Sequence, residues 1–128
     1  MAKTKFIIEK DICKILLGLF EKKGLTIHKI VIFGSFLKGV KKEDSDIDII
    51  IVSKDFRDKG IFEKVELTSG IGIELVRKIQ KPFDIMYYSD EEWENANSLI
   101  INAAKEEGEV IYGWKNQNHY SQRTADPA

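Results

Sequence analysis

Apolar residues recur at spacings of three and four between Ile8 and Lys23, with Ile12, Ile15, Leu16, Leu19 and Phe20 on one stripe. That period predicts an amphipathic helix. Lys22 and Lys23 fall in its last turn, and Gly24 supplies a left-handed stop. The pattern then changes. His28 to Phe33 is short, β-branched and apolar, which predicts an interior strand running into a glycine turn at Gly34. Ser35 to Gly39 predicts a helical turn whose free amides point outward, and Val40 to Ser45 a polar connection. Asp46 to Val52 predicts a second strand. Alternation sets Asp46, Asp48, Ile50 and Val52 on one face and Ile47, Ile49 and Ile51 on the other. Both faces are therefore apolar except at the strand's entrance.

Ser53 to Lys59 reads as a charged loop. Helical spacing resumes from Ile61 to Ile79 through Phe62, Val65, Leu67, Leu75 and Val76, with Gly70 and Gly72 marking a break or a pair of helices. Pro82 opens a third strand, Phe83 to Tyr88, in which Asp84 is a lone carboxylate. Ser89 or Asp90 caps a last helix, with Glu91 and Glu92 in its first turn. Trp93, Ala96, Leu99, Ile100 and Ala103 supply its apolar face, and it ends near Gly108. Val110 to Tyr112 adds an edge strand. Residues 1–113 form one domain on this reading, and the polar residues 114–128 a disordered tail. The order of elements predicts an α/β (α+β) fold, a small mixed sheet flanked by helices.

Composition narrows the chemistry. A chain of 128 residues suits one domain with its own core, and a net charge of −1 argues against a general binder of nucleic-acid backbone. Stable nucleic-acid binding is not expected. The single cysteine, Cys13, lies in the apolar helical pattern and reads as a buried small hydrophobe. Two histidines, His28 and His119, do not make a metal site; His28 reads as an ordinary strand-end residue. No apolar run is long enough to cross a bilayer, and the N-terminus has no secretory pattern, so a cytoplasmic protein is expected.

Three features resist a packing explanation together: the Gly34–Ser35 turn, the Asp46–Ile47–Asp48 pair, and Asp84. Two aspartates at alternate strand positions project side by side and repel. Magnesium removes that conflict, because it takes hard oxygen ligands and keeps room for phosphate oxygens. A third carboxylate from a neighbouring strand would allow two metals, which suits in-line displacement at phosphorus. The Gly34–Ser35 turn offers amides, a hydroxyl and close approach to a triphosphate, and Lys38 adds a point charge. Each residue has a bland alternative: Gly34 a strand-ending turn, the aspartates solvent-facing charges, Lys41 and Lys42 a solvated loop. At their joint spacing the site is the better account.

Gly34-Ser35, ten residues, then Asp46-Ile47-Asp48 resembles the signature of the DNA polymerase beta-like nucleotidyltransferase superfamily. Within it the chain is similar to the minimal nucleotidyltransferases (MNT). The carriers are GSFLKG, the SDIDI strand, the Phe83-Asp84-Ile85 strand and the closing EEGEVIYG. The resemblance spans roughly Ile8 to Gly113. It implies that Asp46, Asp48 and Asp84 bind magnesium, with Asp84 assisting deprotonation of the acceptor. It implies that Gly34, Ser35 and Lys38 hold the phosphates of ATP. Members of this group pair with small helical HEPN toxins and transfer AMP to a toxin tyrosine. No arginine closely precedes either histidine, so the chain resembles the antitoxin and not the toxin. Two other functions stay open: an antitoxin acting by contact alone, and transfer to a small molecule of aminoglycoside type. A homo-oligomer is compatible with the sequence. Exposed apolar residues on the first and last helices are the expected interface.

Overall fold

The computed structural model describes residues 5–34 and 46–113. The described chain runs α1 (Lys5–Lys22), β1 (Lys29–Phe33), β2 (Ile47–Val52), a 3-10 turn (Lys54–Phe56), α2 (Ile61–Leu67), α3 (Ile71–Ile79), β3 (Phe83–Tyr88), α4 (Asp90–Asn95), α5 (Leu99–Glu107) and β4 (Glu109–Tyr112). The strands form one mixed sheet in the order β3-β2-β1-β4. β2 pairs antiparallel with β1 and parallel with β3, and β4 closes the other edge antiparallel to β1. The parallel pair needs a crossover, and α2 and α3 supply it.

Both faces of the sheet are covered, which is why its central strands are apolar on both sides. On one face Ile8, Ile12, Leu16 and Phe20 of α1 pack with Ile71 and Leu75 of α3 against Ile30, Ile32, Ile47, Ile49 and Ile51. On the other, Trp93 of α4 and Ile101 and Ala104 of α5 pack against Val31, Ile50 and Val52. The alternation read along β2 is therefore the alternation of two cores.

Two expectations need correction. Ser53 to Lys59 is not simply a charged loop: Ser53 caps the 3-10 turn, and Phe56 is fully buried, edge-on to Phe20 and Tyr87. One buried ring in a polar run gives no periodic signal. The last helix is two helices. Ser89 closes a capping box with Glu92 at the start of α4, and Ser98 accepts from Ile101 N to start α5 afresh. The second cap resets the phase, so Ile101 and Ala104 face the core while Leu99, Ile100 and Ala103 face outward. In the crossover, Gly70 at φ +86° separates α2 from α3. Its apolar positions Phe62, Val65 and Val76 are exposed rather than buried.

The expected helical turn Ser35–Gly39, the connection Val40–Ser45 and the tail 114–128 lie outside the described residues.

Candidate active site

β2 carries the site at its entrance because three strands begin or end there. Register places Phe33, the last residue of β1, opposite Asp48, and Asp48 opposite Asp84 on β3. The three side chains form a row across the sheet. The next row inward on the same face is Val31, Ile50 and Met86. From there on, α4 and α5 cover the sheet. The carboxylates thus stand where the apolar cover stops. Asp46, two residues before Asp48, continues the same face and is exposed, as is Asp84; Asp48 is half-buried.

Gly34 leaves β1 at φ +88° and passes against Asp48. A Cβ built there would lie 2.3 Å from Asp48 Oδ2 and 3.3 Å from its Cγ. The missing side chain is therefore the space the Asp48 carboxylate occupies. Glycine is required twice, for the backbone conformation and for that approach.

Burial pushes the Asp48 carboxyl above its ordinary value, and the neighbouring Asp84 and Asp46 push it further in the same direction. Among the described residues, no side-chain hydrogen bond or ion pair relieves any of the three. Nor do the described residues gather three or more acidic, histidine or cysteine groups closely enough to hold a metal ion. Sheet geometry explains this: neighbouring strands lie about 4.8 Å apart and alternate residues about 6.6 Å apart, so the carboxylates form an open row. Such a row supplies part of a hard-cation shell and leaves the rest to water and phosphate oxygens. As donors, carboxylate oxygens are of the kind a hard divalent cation takes.

Ser35 and Lys38, read from the sequence as phosphate-binding, lie outside the described residues. Sequence reading passed over Phe33, half-buried opposite Asp48. Its signal was the glycine that follows it, which fixes where β1 ends. Cys13, expected to be buried, is half-buried. The Cys13 thiol donates to Ile111 O at 3.4 Å, and burial, with Glu9 nearby, pushes it up to about 11. His28 is exposed just ahead of β1, at the other end of that strand from Gly34. Trp93 is a packing residue, flanked by the ammonium groups of Lys29 and Lys105 at 5.8 and 5.4 Å from its ring centre.

The nucleotidyltransferase domain model matches residues 12–111, from the core of α1 to β4. The chain belongs to the nucleotidyltransferase domain family. Solved structures agree on the fold. A toxin–antitoxin complex with AMP-PNP contains a chain with a TM-score of 0.57 at 20% identity, covering 82% of this chain and 75% of that one. The complex of a tri-AMPylated HEPN toxin from Shewanella oneidensis with MNT antitoxin gives a TM-score of 0.55 at 18% identity, over 90% of this chain and 76% of the other. An MntA–HepT toxin–antitoxin complex gives 0.52 at 20% identity, over 88% and 74%. The nucleotidyltransferase chain therefore has the polymerase beta-like fold, shared with MNT-type proteins. No curated protein sequence matches it.

Proposed function

We propose that this nucleotidyltransferase transfers a nucleotide, AMP from ATP, to a hydroxyl on a protein, and that it is the antitoxin of a HEPN/MNT pair. One observation carries the reading: Asp48 stands between Asp84 and a glycine whose absent side chain makes room for its carboxylate. A row of mutually repelling carboxylates works against the fold and makes sense only with a cation to join them. The family match and the AMPylated toxin in a structural neighbour's complex support the substrate class.

Asp46, Asp48 and Asp84 would hold magnesium, two ions in the fullest form. Magnesium there supplies charge neutralisation for the triphosphate and for the leaving pyrophosphate. Gly34 lets the backbone approach the phosphates, and Ser35 and Lys38 follow it in sequence. Asp84, exposed at the edge of the row, takes the proton of the acceptor hydroxyl as its oxygen bonds to the α-phosphorus and the bond to pyrophosphate breaks. A cytoplasmic location fits this role. No helix among the described residues is long and apolar enough to cross a membrane.

The test is transfer from α-labelled ATP with magnesium, with and without proteins co-purified from the host. Asp46→Asn/Asp48→Asn is the control. A labelled protein band that needs both aspartates is the expected result. A labelled small molecule in its place points to the aminoglycoside-type reaction. No label with any nucleotide, while a partner still co-purifies with the double variant, overturns catalysis in favour of a contact-only antitoxin.

A further inference from the structure

β3 is an edge strand: in the order β3-β2-β1-β4 it pairs with β2 alone. Successive residues of a strand turn their amide and carbonyl to opposite sides. Ile47 N donates to Pro82 O at 2.9 Å, and Ser53 N to Tyr88 O at 3.0 Å. With Ile47 opposite Phe83, these bonds turn Asp84 and Met86 toward β2, and Phe83, Ile85 and Tyr87 toward the open side. An open edge is a template for another strand, and folds commonly blunt it with lysine. Here only the exit half is blunted. Lys64 of α2 donates from Nζ to Tyr87 O at 2.9 Å and is held there by Glu92 Oε1. Among the described residues, no hydrogen bond reaches the outward amides and carbonyls of Phe83 and Ile85. The half left open is the half that carries Asp84.

The two faces beside that open stretch differ. On one, Phe83, Ile85 and Tyr87 line a groove of about 630 Å³ with Val65, Ile73 and Val76 of α2 and α3. On the other stands Asp84, exposed, in the row of carboxylates. A strand added here would set alternate side chains toward the groove. The ones between would stand beside Asp84, with Cβ atoms about 5 Å apart. Main-chain bonds then supply affinity, and the alternate side-chain sites select the sequence. A second copy of this chain does not suit the edge. Two-fold pairing over Phe83–Ile85 is centred on Asp84 and sets the two Asp84 carboxylates directly opposite each other, which destabilises a strand pair. A hydroxyl side chain in that place has a proton to give the carboxylate and suits it.

We infer that the acceptor protein docks by adding an extended segment to the sheet beside Phe83–Ile85, with its acceptor hydroxyl next to Asp84. The inference rests on the proposed transfer for the word acceptor, and on the open edge for the docking. Asp84 takes the hydroxyl proton as that oxygen bonds to the α-phosphorus and pyrophosphate leaves. The probe is a capped synthetic peptide, Val-Thr-Val-Tyr-Val-Thr-Val, added to the full chain without nucleotide. Binding is read as hydrogen exchange at single backbone amides. A short peptide held this way should dissociate with a constant on the order of 1 mM. At about twice that concentration, exchange at Phe83 and Ile85 should slow roughly threefold. The amides of β4, on the opposite edge, should not change. Ile85→Pro removes an outward donor and leaves the amides of Asp84 and Met86 that face β2; it should abolish the slowing at Phe83. Ile73→Glu, exposed in the groove wall, should weaken the slowing in a chain whose melting matches the parent. Unchanged exchange at Phe83 and Ile85 overturns the docking, and so does slowing at β4 instead or slowing that Ile73→Glu leaves intact. Adding α-labelled ATP and magnesium separates the two readings. Slowed amides with no label on the peptide keep the docking and count against the reaction, whereas label without slowed amides sinks the docking alone.

Discussion

The two ends of β2 treat carboxylates in opposite ways. Just past its exit, Asp55 Oδ2 accepts from Thr26 N at 2.7 Å, Thr26 Oγ1 at 2.9 Å and Ser53 Oγ at 3.2 Å. These bonds, the Thr26 amide first, hold the Asp55 carboxyl below its ordinary value. Nearby, Asp90 takes two bonds from the Arg57 guanidinium, which lowers it to about 2. At the entrance, Asp48 is half-buried among Asp84, Asp46 and the Gly34 backbone, and its carboxyl is raised. The exit carboxylates tie loops together and stabilise the fold. At the entrance, Asp48 opposes it. A feature kept against stability on a scaffold that elsewhere satisfies its charges is what a reaction site looks like.

Removing the conflict should therefore separate activity from stability, and this is the largest effect expected. Asp48→Asn should lower nucleotide transfer by at least about a hundredfold, measured as labelled product per folded molecule. The same variant should melt a few degrees higher than the parent at neutral pH, because the repelling, desolvated charge is gone. Magnesium should raise the melting midpoint of the parent and leave that of Asp48→Asn unchanged. A variant that is both inactive and less stable would place Asp48 with the exit carboxylates and erase the contrast.

Gly34→Ala sharpens the same comparison from the backbone side. The new methyl must displace the Asp48 carboxylate and occupy a left-handed conformation. A loss of about 1–3 kcal/mol in stability is expected by chemical denaturation. Transfer should fall roughly tenfold or more among the molecules still folded. Alanine at Gly24, which also has positive φ but meets no atom within 4 Å, should show only the backbone part of the cost and no change in transfer.

The sequence carried much of this, and the reasons it fell short are physical. Alternation along β2 placed Asp46 and Asp48 on one face with Ile50 and Val52, and the two cores divide along that line. Alternation speaks only of a strand's own faces. It could not say that β3 lies parallel to β2 with Asp84 opposite Asp48, because register is set by the crossover between them. Helical period marked Ile61–Ile79 and the stretch from Ser89 to Gly108 as helical, but not the new phase after Ser98, where a cap outweighs the continuing apolar pattern. Nor does an apolar position announce that it is buried: Phe62 stands on a helical period and is exposed, whereas Phe56 stands in a charged run and is fully covered.

The exit end can be broken too, with smaller effects. Asp55→Ala should lose about 1 kcal/mol by thermal or chemical melting, since the donors of the exposed Thr26 can turn to water. Its transfer rate should match the parent. The same carboxylates give the acid limb its direction. Asp55 and Asp90 are held below their unfolded value of 3.8, so the unfolded chain binds more protons as pH falls through that value. Their stabilisation is complete above it and drains away toward the folded value, about 2 for Asp90. Asp90→Asn should therefore flatten the fall of melting midpoint between about pH 4 and 2, the window its shift defines. Asp48 runs the other way: its raised carboxyl binds its proton first in the folded chain, so its penalty eases as pH falls. Asp48→Asn should accordingly steepen the net acid loss that Asp90→Asn flattens. Melting both variants over one pH series sets the two ends of β2 against each other in a single measurement, and slopes that change alike would show that position along the strand does not decide what a carboxylate does for this fold.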